Sequence, residues 1–317
     1  MCCFAQPVVS VTDTNIFARM LPHGWQYLVY QMNFKSNEKN AMVLPLPVDL
    51  SDDKEGAVEF LSLQHHGRFF EDLNDGFPLA RYPGVQVDSR VMSNHMTTLR
   101  VHQVGDFIAS FVPTADDFDR LDPQFRIPRE SWDQIPHYSD YGFAVFQLET
   151  REGKPHPMAF KFRSRLNQSA GGSLFFPTVH IHDGEVHKRE NFDHTLFLQA
   201  PAFDNACSNY KQRGYLVTDP ATGYIRSKWP AGQFCDIKAS QGIIDPDGLV
   251  HRLEMRGRFK NSDVLASIDP SDLGRSSGIL PWLGLSAVAG MAGIVGLKWL
   301  FDRRDLVSSQ QIRETNG

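Results

Sequence analysis

The sequence predicts an α+β protein, in which a strand-rich soluble domain is followed by a single C-terminal transmembrane helix. Aromatic residues are frequent, with 23 Phe among 317 residues, and 24 Gly and 19 Pro punctuate the chain. This mixture is typical of short strands joined by turns. Hydrophobic residues make up 41% of the chain, which is enough to bury a core and excludes a wholly disordered protein. The third observation is one long uncharged run near the C-terminus.

The charge balance and the cysteine content exclude two further classes of protein. The net charge is -5, from 32 basic and 37 acidic residues, and no block of Lys and Arg stands out. A nucleic-acid partner is therefore not expected. Four cysteines are too few for a disulfide-stapled scaffold.

The predicted elements follow one another along residues 1–260. Two strands, 15–20 and 25–33, pair across a turn at 21–24, and Ser51 and two aspartates predict a helix over 55–63. A short helix continues over 68–73, and Gly105 and Asp106 centre a hairpin of 101–104 and 107–112. Further strands are predicted at 41–46, 141–149, 158–163, 174–181, 195–199 and 249–258. We expect either one domain or two lobes that meet near residues 125–140.

A transmembrane helix is predicted over residues 278–301, after a polar linker at 261–277 and before a short polar tail at 302–317. Ile279–Leu297 carries no charge, and the whole span measures roughly 35 Å as a helix, which exceeds a bilayer core of about 30 Å. Trp282 and Trp299 lie near its ends, as interface aromatics do. Small residues recur four apart and permit helix association, hence a homo-oligomer. The alternative is a buried, glycine-rich core helix.

The orientation of the span has two interpretations. Lys298, Arg303 and Arg304 follow it, and the positive-inside rule then places the C-terminus in the cytoplasm and the domain outside. However, no basic segment and apolar stretch of a secretory signal follows the first residues. We therefore expect a single-pass tail anchor whose soluble domain is cytoplasmic.

The region around residue 180 contains a cluster of histidines that suggests a metal site. His180 and His182 alternate, so on a strand both would point to the same face. His194 begins a later strand and could approach them, and His156 and Asp183 are further candidate ligands. Neutral imidazoles with a carboxylate suit zinc, iron, nickel or copper, and an open position on such a metal activates water. The alternatives are structural hydrogen bonding and metal-free acid–base chemistry.

The second candidate for chemistry is Cys2, which directly follows the initiator Met1. Removal of Met1 would leave a free α-amino group beside a thiol, the nucleophile and base of N-terminal-nucleophile hydrolases. Acylation of the cysteine pair and a packing role are the alternatives.

Four segments together resemble a group of uncharacterised bacterial proteins. They are the opening Met1-Cys-Cys-Phe4, residues 15–19 (Asn-Ile-Phe-Ala-Arg), residues 41–47 (Ala-Met-Val-Leu-Pro-Leu-Pro) and residues 176–184 (Phe-Pro-Thr-Val-His-Ile-His-Asp-Gly). The group is more remotely similar to a bacterial domain family of unknown function with a Val-Leu-Pro-x-Pro strand end and a C-terminal span. The resemblance covers most of residues 1–260 and implies no activity.

These observations predict a membrane-anchored module that binds a divalent transition metal such as zinc. Its ligands would be His180, His182 and His194, assisted by His156 or Asp183. The rival hypothesis is a hydrolase or amidohydrolase that uses Cys2, or the water on the metal, as its nucleophile.

Overall fold

The computed structural model describes residues 2–51, 56–78, 102–104, 107–127, 132–167, 172–209 and 223–267. All of them belong to one compact unit, Met1–Ser276. In chain order, its strands are β1 (Cys2–Phe4), β2 (Val8–Met20), β3 (Trp25–Ser36), β4 (Asn40–Leu46), β5 (Val58–Ser62), β6 (His102–Val104), β7 (Phe107–Val112), β8 (Gly142–Leu148), β9 (Glu152–Gly153), β10 (Met158–Arg163), β11 (Ser173–Phe176), β12 (His180–Ile181), β13 (Arg189–Gln199), β14 (Ser208–Asn209), β15 (Ile225–Arg226), β16 (His251–Lys260) and β17 (Val264–Ser267). The α-helices are α1 (Phe69–Asp75) and α2 (Pro201–Ala206), and single 3-10 turns connect several strands.

The strands form two large sheets and one two-stranded ribbon. The smaller sheet has the order β12-β1-β4-β8-β7-β6, and the larger has the order β14-β15-β16-β13-β2-β3-β10-β5, with β9 added beside β3. Strands β11 and β17 form the ribbon. Most neighbours are antiparallel, but three pairs are parallel: β1 with β12, β13 with β2, and β14 with β15. The prediction of a strand-rich domain is therefore confirmed.

Both faces of the larger sheet are covered, which explains the nearly continuous apolar runs in its central strands. On one face, Phe160 of β10 lies 5.9 Å from Phe146 of the smaller sheet, measured between ring centroids. On the other face, Phe17 of β2 contacts Phe69 of α1 at 5.6 Å. Each fully buried Phe contributes about 1.5–3 kcal/mol to folding, so these aromatic contacts hold the three layers together.

The hairpin of β2 and β3 and the hairpin of β6 and β7 confirm two of the predicted strand pairs. The helix predicted over 55–63 is wrong, because Val58–Ser62 is strand β5. Val58 and Phe60 of this strand pair with Phe162 and Phe160 of β10. Cross-strand packing of β-branched and aromatic side chains outweighs the weak local preference of the acidic first turn for a helix.

Amide side chains join segments that no sheet ladder connects. Gln26 donates to the carbonyl of Phe175 at 2.7 Å and accepts from the same residue's N–H at 3.0 Å. Asn40 and Gln199 make similar reciprocal bonds to the backbones of Gln6 and Asp245. A single side chain thus supplies the donor and the acceptor that a neighbouring strand would otherwise supply.

No helix within the described ranges is long and apolar enough to cross a membrane. The predicted span at 278–301 and the tail at 302–317 lie outside the described residues. Part of the predicted linker is described, and Val264–Ser267 of that part forms β17, which pairs with β11.

Candidate functional site

Two of the predicted ligands, His180 and His194, meet between the two sheets. His180 lies in β12 of the smaller sheet, and His194 lies in β13 of the larger sheet. Their Nε2 atoms are 3.1 Å apart, and their rings stack with centroids at 4.8 Å. The exposed fractions are only 4% and 1%. The sheet packing therefore brings together two imidazoles that are separated by a turn and a strand in the sequence.

His182 completes a row of three imidazoles. Its ring centroid lies 4.8 Å from that of His180, and its other face meets Phe4 of β1 edge-on at 6.2 Å. Among the described residues, the Nε2 atom of His182 has no hydrogen-bond partner, nor have the buried Nδ1 atoms of His180 and His194. We call these three residues the histidine row. Each member of the row thus has one ring nitrogen that no described residue satisfies.

Burial keeps the histidine row neutral. Desolvation, reinforced by the neighbouring His182, lowers the pKa of His180 to about 2. Desolvation also lowers the pKa of His182 to about 4. Desolvation is also the main cause that places the pKa of His194 well below its ordinary value, and the nearby His180 lowers this pKa further. At neutral pH, the Nε2–H of one ring of the His180–His194 pair donates to the Nε2 of the other. The donor ring then has a lone pair at Nδ1, and the acceptor ring carries its proton at Nδ1.

The N-terminal strand runs directly beside the histidine row. In the parallel pairing of β1 and β12, Cys2 is the register partner of His180 and Cys3 is the partner of Ile181. Cys3 is fully buried and also pairs with Val43 of β4. Sequence reasoning treated Cys2 and the histidines as separate candidates, but the fold places the backbone of Cys2 next to that of His180.

The remaining predicted ligands have other contacts. The ring of His156 packs on Phe107 at 4.4 Å, and its Nδ1 lies 3.1 Å from the carbonyl oxygen of Pro157. Asp183 is exposed, and its carboxylate accepts a hydrogen bond from His187 at 2.9 Å. That bond lowers the pKa of Asp183 and raises the pKa of His187. In the described part of the chain, no three or more His, Cys, Asp and Glu side chains are arranged to hold a metal ion.

Asn261 holds β12 in place, and sequence reasoning missed it. Its Oδ1 accepts the N–H of His180 at 2.7 Å, and its Nδ2 donates to the carbonyls of His180 and His187 at 2.9 and 3.0 Å. Strand β12 is at the edge of its sheet, so Asn261 replaces the missing neighbour of that edge. No local pattern marks an asparagine 81 residues away for this role.

A half-buried acid supports the loop before β12. The carboxylate of Asp263 accepts a hydrogen bond from the hydroxyl of Tyr138 at 2.5 Å. It also accepts from the N–H groups of Thr178 and Val179 at 2.9 and 3.2 Å. Desolvation of the carboxylate raises the pKa of Asp263, and these hydrogen bonds partly counter the shift. Burial is the main cause that raises the pKa of Tyr138 well above its ordinary value, and the carboxylate of Asp263 raises it further. Tyr138 and Asp263 therefore anchor the segment that leads into the histidine row.

No protein-family model matches the chain, and no curated protein matches it. Among solved structures, baculovirus P35 is similar with 12% identity and a TM-score of 0.42 over 81% of this chain and 96% of that chain. P35 in its complex with caspase-8 is similar with 11% identity and a TM-score of 0.41, again over 81% of this chain and 96% of that chain. A mutated P35 after caspase cleavage has 11% identity and a TM-score of 0.38, over 82% and 98%. Values this low do not establish a shared fold or a shared function.

Proposed function

We propose that the protein is a metal-binding module in which His180 and His194 bind one transition-metal ion such as zinc. The observation that carries this proposal is the 3.1 Å separation of their two Nε2 atoms. With zinc–nitrogen bonds of about 2.0–2.1 Å, two nitrogens at this separation subtend an angle of about 100° at the metal, close to the tetrahedral value. The two imidazoles are thus spaced as ligands of one ion.

Neutral imidazole is the form that binds metal, and the low pKa values of the histidine row supply it without loss of a proton at neutral pH. The ring that donates from Nε2 must change tautomer, with its proton at Nδ1, before both Nε2 atoms can bind the ion. His182 is the third ligand of the proposal. Its ring lies against that of His180, and its Nε2 has no protein partner, so a side-chain rotation toward the pair would satisfy a buried polar atom. Cys2 is the register partner of His180 and is a further candidate, because a thiolate is a soft ligand.

The hydrolase hypothesis is less well supported by the same site. A general base works best when its pKa lies near the operating pH, but the pKa of His180 is about 2. This imidazole is a weak proton acceptor for the Cys2 thiol at neutral pH. Measurement of the intact mass tests the hypothesis separately, because a retained Met1 or an acylated Cys2 is incompatible with a free N-terminal nucleophile.

The metal proposal is tested on the purified full-length chain by elemental analysis and by titration with zinc and with cobalt(II). We expect one equivalent of metal, and cobalt absorption bands typical of tetrahedral coordination. The variant His180→Gln/His194→Gln should lose both signals, and His182→Gln should weaken binding. His65→Ala, which changes an exposed histidine, is the matched control and should bind as the wild type does.

Two outcomes contradict the metal proposal. One is substoichiometric metal that is the same in wild type and in His180→Gln/His194→Gln. The other is a shift of metal binding to His156, revealed if His156→Ala abolishes it and the double variant does not. Because the substituted side chains are buried, circular dichroism of each variant must first show a folded protein.

We also propose that residues 278–301 anchor the protein in a lipid bilayer with the strand-rich domain on the cytoplasmic side. The uncharged run Ile279–Leu297 and its flanking tryptophans support this proposal. Carbonate-resistant sedimentation with membranes should disappear when 278–301 is deleted, and protease added to sealed cells should leave the domain intact. Extraction of the full chain by carbonate would contradict the anchor, and digestion of the domain would contradict the orientation.

A further inference from the structure

The antiparallel pair of β13 and β16 presents four cationic side chains on its outer face. Arg189 is directly opposite Lys260, and Arg258 and Arg256 follow at the next two paired positions of β16. Alternate residues of a strand share a face, so all four project from the same side, and all four are exposed. Their cross-strand partners on β13 are Asn191 and Asp193.

This arrangement is electrostatically unfavourable in the protein alone. Like charges directly opposite in an antiparallel pair destabilise it, and Arg189 faces Lys260. Within the described residues, no carboxylate lies within 4.0 Å of the side-chain nitrogens of Lys188, Arg189, Arg258 or Lys260. Asp183 and Glu190 instead contact His187, at 2.9 and 4.0 Å, and Asp193 is opposite Arg256. Lys188, Arg189, Arg258 and Lys260 therefore have no ion-pair partner in the part of the chain that the structure describes.

A cleft of about 500 Å³ opens among these cations, and we call it the cationic cleft. It is lined by His187, Lys188, Arg189, Glu190, Asn191 and Arg258. The backbone around it is fixed, because Arg189 donates to the carbonyl of Arg258 at 2.8 Å and the N–H of Asn261 donates to the carbonyl of Lys188 at 3.0 Å. Glu190 is the one acid in the lining, and its Oε1 lies 4.0 Å from Nε2 of His187.

We infer that the cationic cleft binds a small soluble ligand that bears phosphoryl groups. Arginine forks and a lysine ammonium are the side chains that recognise phosphate, and the volume is that of a small-molecule site. An anion there would neutralise Arg189 and Arg258 together and relieve their repulsion with Lys260. The cleft is distinct from the histidine row, because His194 and Phe192 project from the opposite, buried face of the same strand.

Isothermal titration of the full-length protein with inorganic pyrophosphate tests this inference. We expect saturable 1:1 binding that weakens as salt is raised. Lys188→Gln/Arg258→Gln should weaken it at least tenfold, because both side chains line the cleft and neither makes an internal ion pair. Arg151→Gln/Lys238→Gln removes the same charges from exposed positions elsewhere and should bind as the wild type does.

Three results would overturn the inference. The first is the absence of pyrophosphate binding at millimolar concentration. The second is equal weakening in the two double variants, which would indicate only a general charge effect. The third is binding to phosphatidylserine vesicles, lost in Lys188→Gln/Arg258→Gln, without binding of pyrophosphate, which would assign the cations to a membrane surface instead.

Discussion

Removal of the Asn261 side chain should destabilise the protein by about 3 kcal/mol and weaken metal binding at the histidine row. In Asn261→Ala, the N–H of His180 loses its only described acceptor, and the carbonyls of His180 and His187 each lose a donor. An unsatisfied buried N–H costs about 1–3 kcal/mol, and each further hydrogen bond contributes about 0.5–1.5 kcal/mol. Since water reaches the His187 carbonyl, which is the exposed end of the network, its bond contributes little. The other two contributions sum to about 1.5–4.5 kcal/mol, with about 3 kcal/mol in the middle.

The assay is urea denaturation followed by circular dichroism, paired with a zinc titration of the folded variant. Asn261→Asp keeps the acceptor for the His180 N–H but places carboxylate oxygens against two carbonyls, so it should not restore stability. Asn37→Ala, at an exposed position, is the control and should change stability by no more than about 0.5 kcal/mol. If Asn261→Ala matches this control, Asn261 does not hold β12, and its proposed role as a positioning residue for His180 is wrong.

Three further perturbations test the packing and the buried polar groups. Gly76→Ala should destabilise the protein by about 1–3 kcal/mol, because the added Cβ would lie 2.6 Å from the ring of Phe234, whereas Gly67→Ala meets nothing within 4 Å and should be neutral. Gln26→Leu should cost about 2–5 kcal/mol, because it leaves one buried N–H and one buried carbonyl without partners. Asp263→Asn should become progressively more stable relative to wild type as pH rises from about 4. Denaturation curves measure all three, the last as a function of pH.

The sign of the pH effect follows from the raised pKa of Asp263. Between its unfolded value of 3.8 and its higher folded value, the folded protein binds more protons than the unfolded chain. The stability of the wild type therefore decreases as pH rises through this window, and Asn removes that decrease. The reasoning is wrong if the difference in unfolding free energy between Asp263→Asn and the wild type does not change with pH, or changes in favour of the wild type as pH rises. Either result would show that the carboxylate is not desolvated as described. Equal effects of Gly76→Ala and Gly67→Ala would likewise contradict the packing argument.

Local patterns of the sequence were sufficient for several elements. The hairpin of β2 and β3 depends on apolar strands on both sides of a short turn, and the turn residues His23 and Gly24 both adopt positive φ angles of 60° and 78°. The closeness of His180 and His182 depends only on the alternation of side chains along an extended chain. These features involve residues a few positions apart, so neighbouring residues in the sequence are sufficient to predict them.

By itself, the sequence determined a strand-rich domain with a pair of neighbouring histidines and an uncharged run at 279–297. Only the tertiary structure decided that His194 meets His180, that Cys2 pairs with His180, that 58–62 is a strand, and that Asn261 closes the edge of β12. These features depend on which strands become neighbours and in which register they pair. Strand pairing is a long-range competition among many alternatives of similar local propensity, and it is settled by the burial of whole faces rather than by any short segment.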